Sequence, residues 1–203
     1  MPGEPGVQLL GNAAATALGL AAMILAFGPV SGAHLNPLVT MAGRLRREIA
    51  GPTAAAFVVA QIVGAALGVI VANLMFELPA VTVSGVDRTG WTLWLSEAVA
   101  TFGLILVVRT VGRRGRVAET ALAVAGFVGA AMLFTPSTCF ANPAVTLART
   151  LTDTFAGIAP SSVPAFLAAQ LAGALLAVAC DTFLFTHTGA RLGSDTPTSD
   201  ERG

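Results

Sequence analysis

Two stretches decide the fold: SGAHLNPLVT (Ser31 to Thr40) and STCFANPAVT (Ser137 to Thr146), each of which holds an Asn-Pro step inside apolar sequence. Asn is a preferred helix N-cap because its amide oxygen accepts an unpaired backbone N–H. Pro is a preferred first helical residue because it has no N–H to leave unpaired. Asn36-Pro37 and Asn142-Pro143 therefore predict the starts of two short helices.

The composition around these stretches is that of a membrane protein. Of the 203 residues, 55% are hydrophobic and only 11% are charged, whereas a soluble domain carries roughly 25% charged residues. We predict one integral membrane domain. The net charge of zero gives no indication of a nucleic-acid partner. We find no metal-ligand cluster, nucleophile triad or phosphate loop, so we predict neither an enzyme nor a cofactor.

Five apolar runs are each close to the ~20 residues that a helix needs to cross the hydrocarbon of a bilayer. These predicted spans are Val7 to Pro29, Ala54 to Phe76, Trp91 to Val108, Val117 to Phe134 and Val163 to Phe185.

Arginine clusters indicate the orientation of the spans. Arg44, Arg46 and Arg47 follow the first Asn-Pro stretch, and four further arginines lie between Arg109 and Arg116. By the positive-inside rule both clusters are cytoplasmic, which places the C-terminus inside and Met1 outside. We expect a single domain over 7–186 and a disordered cytoplasmic tail over 187–203. The two Asn-Pro stretches then enter from opposite sides of the membrane.

The chain also contains an internal repeat, with copies at about 7–76 and 91–186. LVTMAGRL matches AVTLARTL, and FVVAQIVGAALGVI matches FLAAQLAGALLAVA, which pairs Asn36 with Asn142 and Gln61 with Gln170. In both copies a small residue recurs at every fourth position around Gly64 or Gly173, which predicts a close helix-packing stripe.

A repeat whose copies enter from opposite faces is an inverted repeat, and such proteins have their solute site at the bilayer midplane, where broken helices meet. The two short helices would point their positive N-terminal ends at each other and repel cations and protons. Each Asn amide would keep one N–H for a passing oxygen atom.

These residues closely resemble the aquaporin, or major intrinsic protein, family, which has two Asn-Pro-Ala boxes on half-helices, SGAHLNP at the first box, and AQ-x-x-GA in the following span. The resemblance extends from Val7 to Phe185 and implies an all-α membrane fold: an inverted repeat with six spanning helices and two half-helices. It also implies homotetramers with one pore per subunit. In this resemblance Glu97 supports the backbone of the second half-helix. We expect His34, just before Asn36, to anchor the backbone below the first half-helix rather than to act as a proton donor.

Three features depart from the family pattern, and the first two concern the number of spans and the first box. Only five spans are found, because the chain begins almost at the family's second helix; we expect a late-assigned start codon rather than a fragment. The first box reads Asn36-Pro37-Leu38, with a larger side chain where the second box, Asn142-Pro143-Ala144, has Ala.

The position of the family's selectivity-filter arginine is also changed, since Val145 stands three residues after Asn142. Counting from the boxes, the resemblance implies a filter of Thr16, Ala130, Cys139 and Val145, which is wider and less polar than that of a water-selective member. Arg149 has two interpretations. It lies two turns beyond Asn142 and could reach the pore mouth as a displaced filter arginine, or it pairs with Asp153 on the outer surface.

The leading hypothesis is a passive channel in the cell membrane for small uncharged solutes: glycerol-like polyols, neutral metalloid hydroxides such as arsenite, and water. A secondary transporter is the alternative, and it would need a titrating carboxylate such as Glu97 or Asp181. The third hypothesis is an inactive fragment without its first helix.

Overall fold

The structure is a computed structural model that describes residues 4–189, with side chains described through residue 185. Five long helices in this range are apolar enough to cross a membrane, and two short helices lie between them. The long helices are α1 (Pro5–Ser31), α3 (Gly51–Met75), α4 (Trp91–Gly112), α5 (Val117–Phe134) and α7 (Val163–Gly189), and the short ones are α2 (Pro37–Leu45) and α6 (Pro143–Ala148).

All five predicted spans are confirmed, and their ends agree with the observed helices to within four residues. Helix α7 continues to Gly189, three residues beyond the end expected for the domain. The rest of the expected tail, 190–203, lies outside the described residues.

Both short helices begin where the Asn-Pro steps predict. The Asn36 side chain accepts a hydrogen bond from the Leu38 N–H at 2.9 Å, and the Asn142 side chain accepts one from the Ala144 N–H at 3.0 Å. Proline is the first residue of each helix, so the cap satisfies a donor that would otherwise be unpaired in an apolar surrounding. A 3₁₀ turn, Arg149–Leu151, follows α6 directly.

The long helices pack unequally. Helix α4 runs along α7, and α1 runs along α5. Helix α3 contacts mainly the two short helices, and only Ala54 and Asn73 of its residues are buried.

The predicted small-residue stripe is therefore a packing surface in one repeat only. In α7, Gly173 lies so close to α4 that an added Cβ would be 2.2 Å from the Ala98 carbonyl oxygen. At the matching Gly64 of α3, nothing within the described residues approaches to 4 Å. The prediction is wrong for α3 within 4–189, because no described helix lies against α3 as α4 lies against α7.

Candidate functional site

The two half-helices meet end to end through their Asn caps. The Asn36 Nδ2 donates to the Ala141 carbonyl at 2.7 Å, and the Asn142 Nδ2 donates to the Leu35 carbonyl at 3.0 Å. Each amide oxygen caps its own helix, and each amide nitrogen carries two hydrogens, one of which goes to the opposite loop. The arrangement places both helix N-termini at one level and leaves a second N–H on each Asn.

The loop that leads into α6 is strained, and Glu97 holds it. Thr138, Cys139 and Ala141 all have positive φ values, between 45° and 62°, which are uncommon for residues other than glycine. The two carboxylate oxygens of Glu97 accept the Phe140 and Ala141 N–H groups, each at 2.9 Å. Glu97 is fully buried and thus has the supporting position that the resemblance implies.

Gln170 extends this support. Its Nε2 lies 2.7 Å from the Glu97 carboxylate and 2.8 Å from the Thr146 hydroxyl. The matching Gln61 of the first repeat donates instead to the His34 carbonyl and to the Thr40 hydroxyl. The two matching glutamines therefore have matching roles, since each donates to the matching threonine of its half-helix. They differ in the second partner, which is a carboxylate for Gln170 and a backbone carbonyl for Gln61.

His34 lies below α2. Its Nδ1 is 3.3 Å from the Thr40 hydroxyl, and its ring packs edge-on against Phe57 with centroids 5.5 Å apart. These contacts fix the loop that precedes Asn36, which agrees with an anchoring role for His34.

A cavity of about 430 Å³ runs past the Asn caps. One face of α1 lines it with Thr16, Leu20 and Ile24, and one face of α5 lines it with Val124, Val128 and Met132. Both sets repeat every four residues, so each is a single helical face. The walls of the cavity are mainly apolar, with isolated polar groups from the two half-helix loops.

A second cavity, of about 450 Å³, continues toward the end of the bundle that carries both arginine clusters. The two cavities share five lining residues: Ile24, Gly32, Val39, Val108 and Thr120. The two cavities are therefore adjacent along the bundle, and the Asn caps lie on the wall of the first.

Four of the five candidate filter residues line the first cavity: Thr16, Cys139, Val145 and Arg149. Ala130 does not line it and is exposed on α5. Because one residue turns a helix by about 100°, a position two residues from Val128 lies on the opposite face. The side chains that α5 presents to the cavity here are Val128 and Met132, which corrects the assignment of Ala130.

The leucine of the first box lies behind its half-helix. Leu38 is buried against Ile105, Ala174 and Ala177 and does not line the first cavity. Ala144, the matching residue of the second box, is also buried. The larger side chain therefore fills the interface of α2 with α4 and α7.

Arg149 forms no ion pair with Asp153. The Asp153 carboxylate accepts the Gly85 N–H at 2.9 Å, while the Arg149 guanidinium lies over the Phe140 ring, 4.4 Å from its centroid. Of the two sequence interpretations, the structure favours the one in which Arg149 reaches the cavity.

A charge network at the arginine-rich end is not apparent from any sequence motif. The Arg109 guanidinium bonds the Glu48 carboxylate through two nitrogens, at 2.9 and 3.0 Å, and Asp181 at 2.8 Å. Arg113 bonds the same fully buried Asp181 at 2.6 Å. The hydrogen bond from Arg109 also lowers the pKa of Glu48. These contacts tie the loop after α2 to α4 and α7.

The chain matches the family model described as Major intrinsic protein over residues 3–136. It is 43% identical over 176 residues to "Aquaglyceroporin AqpS" of Rhizobium meliloti (strain 1021), which covers 87% of this chain and 75% of that protein. It is 34% identical to "Probable aquaporin AqpM" of Archaeoglobus fulgidus, over 71% of this chain and 63% of that protein. It is also 30% identical to "Aquaporin AqpM" of Methanothermobacter marburgensis, over 78% and 70%. With its two capped half-helices and the cavity beside them, the chain belongs to the major intrinsic protein family.

Proposed function

We propose that the protein is a passive transmembrane channel for small uncharged solutes: water, glycerol-like polyols and neutral metalloid hydroxides such as arsenite. The observation that carries this proposal is the reciprocal bonding of Asn36 and Asn142 beside adjacent cavities along the bundle. The rhizobial relative named as an aquaglyceroporin supports a pathway wide enough for a polyol. Family members are channels, so the chain is not an enzyme.

Selection against ions would come from the half-helices. Their N-termini meet at one level, and each carries roughly half a positive charge. A cation or proton at that level would face two positive ends in a surrounding of low dielectric constant. A neutral solute would instead exchange hydrogen bonds with the free N–H of each Asn.

The filter proposed for solute size consists of Thr16, Cys139 and Val145, all of which are uncharged, with Arg149 on the same cavity wall. Because Val145 replaces the arginine that the family usually has there, the opening between these side chains would be wide enough for a three-carbon polyol.

Ion-coupled transport is the second candidate, and the carboxylates argue against it. Both Glu97 oxygens accept backbone N–H groups, and Gln170 adds a further bond. Asp181 is engaged by two arginines. A coupling site needs a carboxylate that gains and loses its proton during transport, and losing the charge on either group would break contacts that hold the fold.

We further propose that the arginine-rich end is cytoplasmic, as the positive-inside rule predicts, and that the channel assembles as a homotetramer, as in the family. A fluorescent protein fused after Gly203 should fold and emit only if the C-terminus is inside the cell. Native mass spectrometry of the detergent-purified protein should give four chains per particle.

Stopped-flow light scattering on proteoliposomes tests the function. In an impermeant osmolyte, the proteoliposomes are expected to shrink rapidly as water leaves. In a separate run with glycerol as the osmolyte, they are expected to shrink and then to swell again as glycerol enters. Fast water movement with no glycerol entry would refute the wide filter. If neither water nor glycerol moved, the inactive alternative would replace the channel proposal.

A further inference from the structure

Arg88 lies in the connection between α3 and α4, yet it is buried, with 8% of its surface exposed. Its Nε donates to the Gly157 carbonyl at 2.7 Å, its Nη1 to the Ser137 carbonyl at 3.2 Å and its Nη2 to the Phe155 carbonyl at 3.0 Å. Ser137 precedes α6, whereas Phe155 and Gly157 follow it. One guanidinium therefore joins the two segments that flank this half-helix.

Arg88 and Arg149 contact the same aromatic ring. Their guanidinium carbons lie 4.8 and 4.4 Å from the centroid of Phe140, within the range of a cation–π interaction. Phe140 is fixed in turn by the bond from its N–H to Glu97 and by the edge of Phe166. The ring thus holds both cations at defined positions beside the cavity.

The two arginines differ in what their N–H groups meet. All three nitrogens of the Arg88 guanidinium have carbonyl partners, whereas the Arg149 Nη1 is buried and meets no acceptor among the described residues. Arg149 lines the 430 Å³ cavity, and Arg88 does not. Arg149 can therefore donate to an oxygen atom inside the cavity, whether that of water or that of a solute.

The local charge favours the same kind of ligand. Two arginines adjoin Phe140, and the nearby buried carboxylate of Glu97 is already occupied by two backbone N–H groups and Gln170. The excess positive charge attracts partially negative oxygen atoms and repels cations.

We propose that Arg149 is a solute-binding group that donates to the hydroxyl oxygens of neutral polyhydroxy solutes, and that Arg88 is its positioning residue, acting through Phe140 and the segments beside α6. This site rests on the proposed channel function, since it needs a solute that enters the cavity. A hydrogen bond from Arg149 would replace some of the hydrogen bonds with water that a solute loses when it enters an apolar passage.

The test uses the full chain in proteoliposomes and compares glycerol permeability with water permeability. Arg149→Met keeps the length of the side chain but removes every donor, and it should lower the glycerol-to-water ratio about tenfold, the effect of one lost hydrogen bond to a charged group. Arg149→Lys should lower the ratio less and still exclude K⁺. Arg116→Gln is the control, because Arg116 is exposed at the other end of the bundle and pairs with Glu119; it should change nothing.

Arg88 is tested by its coupling to Arg149. Arg88→Gln should also lower the glycerol-to-water ratio, and the double variant with Arg149→Met should match Arg149→Met alone within about twofold. Water permeability reports whether each variant folds. If Arg88→Gln loses it, Arg88→Lys, which keeps the charge over Phe140, takes its place.

Two results would overturn the site while leaving the channel proposal intact: an unchanged or raised ratio in Arg149→Met, or effects of the two single variants that multiply in the double variant. A wild-type protein that passes neither water nor glycerol would instead refute the channel proposal itself.

Discussion

Helices α3 and α7 are the same element of two repeats, yet they have different surroundings. In α7, the residues that face α4 are buried along the helix, among them Gln170, Gly173, Ala177 and Asp181. In α3, the matching Gln61, Gly64, Gly68 and Ala72 are half-buried or exposed. The sequence similarity of the two helices thus reflects a shared packing design, which only one of them realises within the described residues. The difference shows how much of the second repeat depends on α4.

The largest effect is expected at Glu97, the α4 residue that holds the strained loop before α6. Glu97→Leu leaves the buried Phe140 and Ala141 N–H groups without acceptors, at about 1–3 kcal/mol each. We expect a loss of about 4 kcal/mol, read as a large drop in the unfolding temperature of the detergent-purified protein.

Thr101→Val on the same helix is the control for this variant. Thr101 is fully buried, but its hydroxyl has no hydrogen-bond partner within residues 4–189, so this position should tolerate the change. Equal losses in Glu97→Leu and Thr101→Val would mean that general packing of α4, rather than the carboxylate, supports the second repeat.

Asp181 is the next strongest test, because its counterpart in α3 is Ala72. Asp181→Ala makes α7 resemble α3 and leaves Arg109 and Arg113 without their shared carboxylate. Breaking a buried ion pair costs about 3–5 kcal/mol, and we expect the lower end, since Arg109 keeps Glu48 and Arg113 is partly exposed. The neighbouring Cys180→Ala is the matched variant, and a comparable fall in unfolding temperature there would contradict the assignment.

A matched glycine pair compares the two helices directly. Gly173→Ala places a Cβ against the α4 backbone at Ala98 and should cost about 1–3 kcal/mol. Gly64→Ala meets nothing within 4 Å, so it should be neutral or gain up to about 1 kcal/mol from helix propensity. Destabilisation by both substitutions, measured as heat-induced loss of the monodisperse peak in size-exclusion chromatography, would mean that the α3 face is covered in the native protein.

The smallest effect is expected at Glu48, which pairs with Arg109 but is 55% exposed. Glu48→Gln should cost less than about 1 kcal/mol at neutral pH. Arg109 lowers the pKa of Glu48 in the folded state. The ion pair therefore adds to the free energy of unfolding at and above the pH at which glutamate usually titrates, and this contribution is lost as the pH falls through the lowered pKa. The stability gap between wild type and Glu48→Gln should therefore be constant from pH 6 to 8 and close in strong acid; a gap that widened in acid would contradict this.

Local patterns could be predicted from the sequence to the residue. The Asn-Pro steps gave the helix starts because capping involves atoms only two or three positions apart, as between Asn36 and Leu38. The assignments of Cys139 and Val145 agree with the cavity lining, because both residues lie within three positions of Asn142 and no intervening helix separates them from it. The count to Ala130 crosses a loop and a helix end, and an error of two residues on a helix reverses the face.

The contacts of Arg88 and Arg109 with distant segments could not be predicted. Arg88 meets carbonyls 49, 67 and 69 positions away, and the Arg109 network joins residues 61 and 72 positions apart. These bonds depend on how loops fold over the ends of the bundle, for which the sequence has no periodic signal. The small-residue stripe of α3 shows the converse: a periodic pattern is present in the sequence, but it does not tell whether a helix lies against that face.

The central claim is that two opposed half-helices pass neutral solutes and stop ions without any driving gradient. The most direct measurement records water flux by light scattering and proton leak by an internal pH dye in the same wild-type proteoliposomes. The account predicts fast water and glycerol movement, unaffected by a proton gradient, with a proton leak no greater than that of empty liposomes. Glycerol movement that requires the gradient, or a proton leak that grows with the amount of protein, would contradict it.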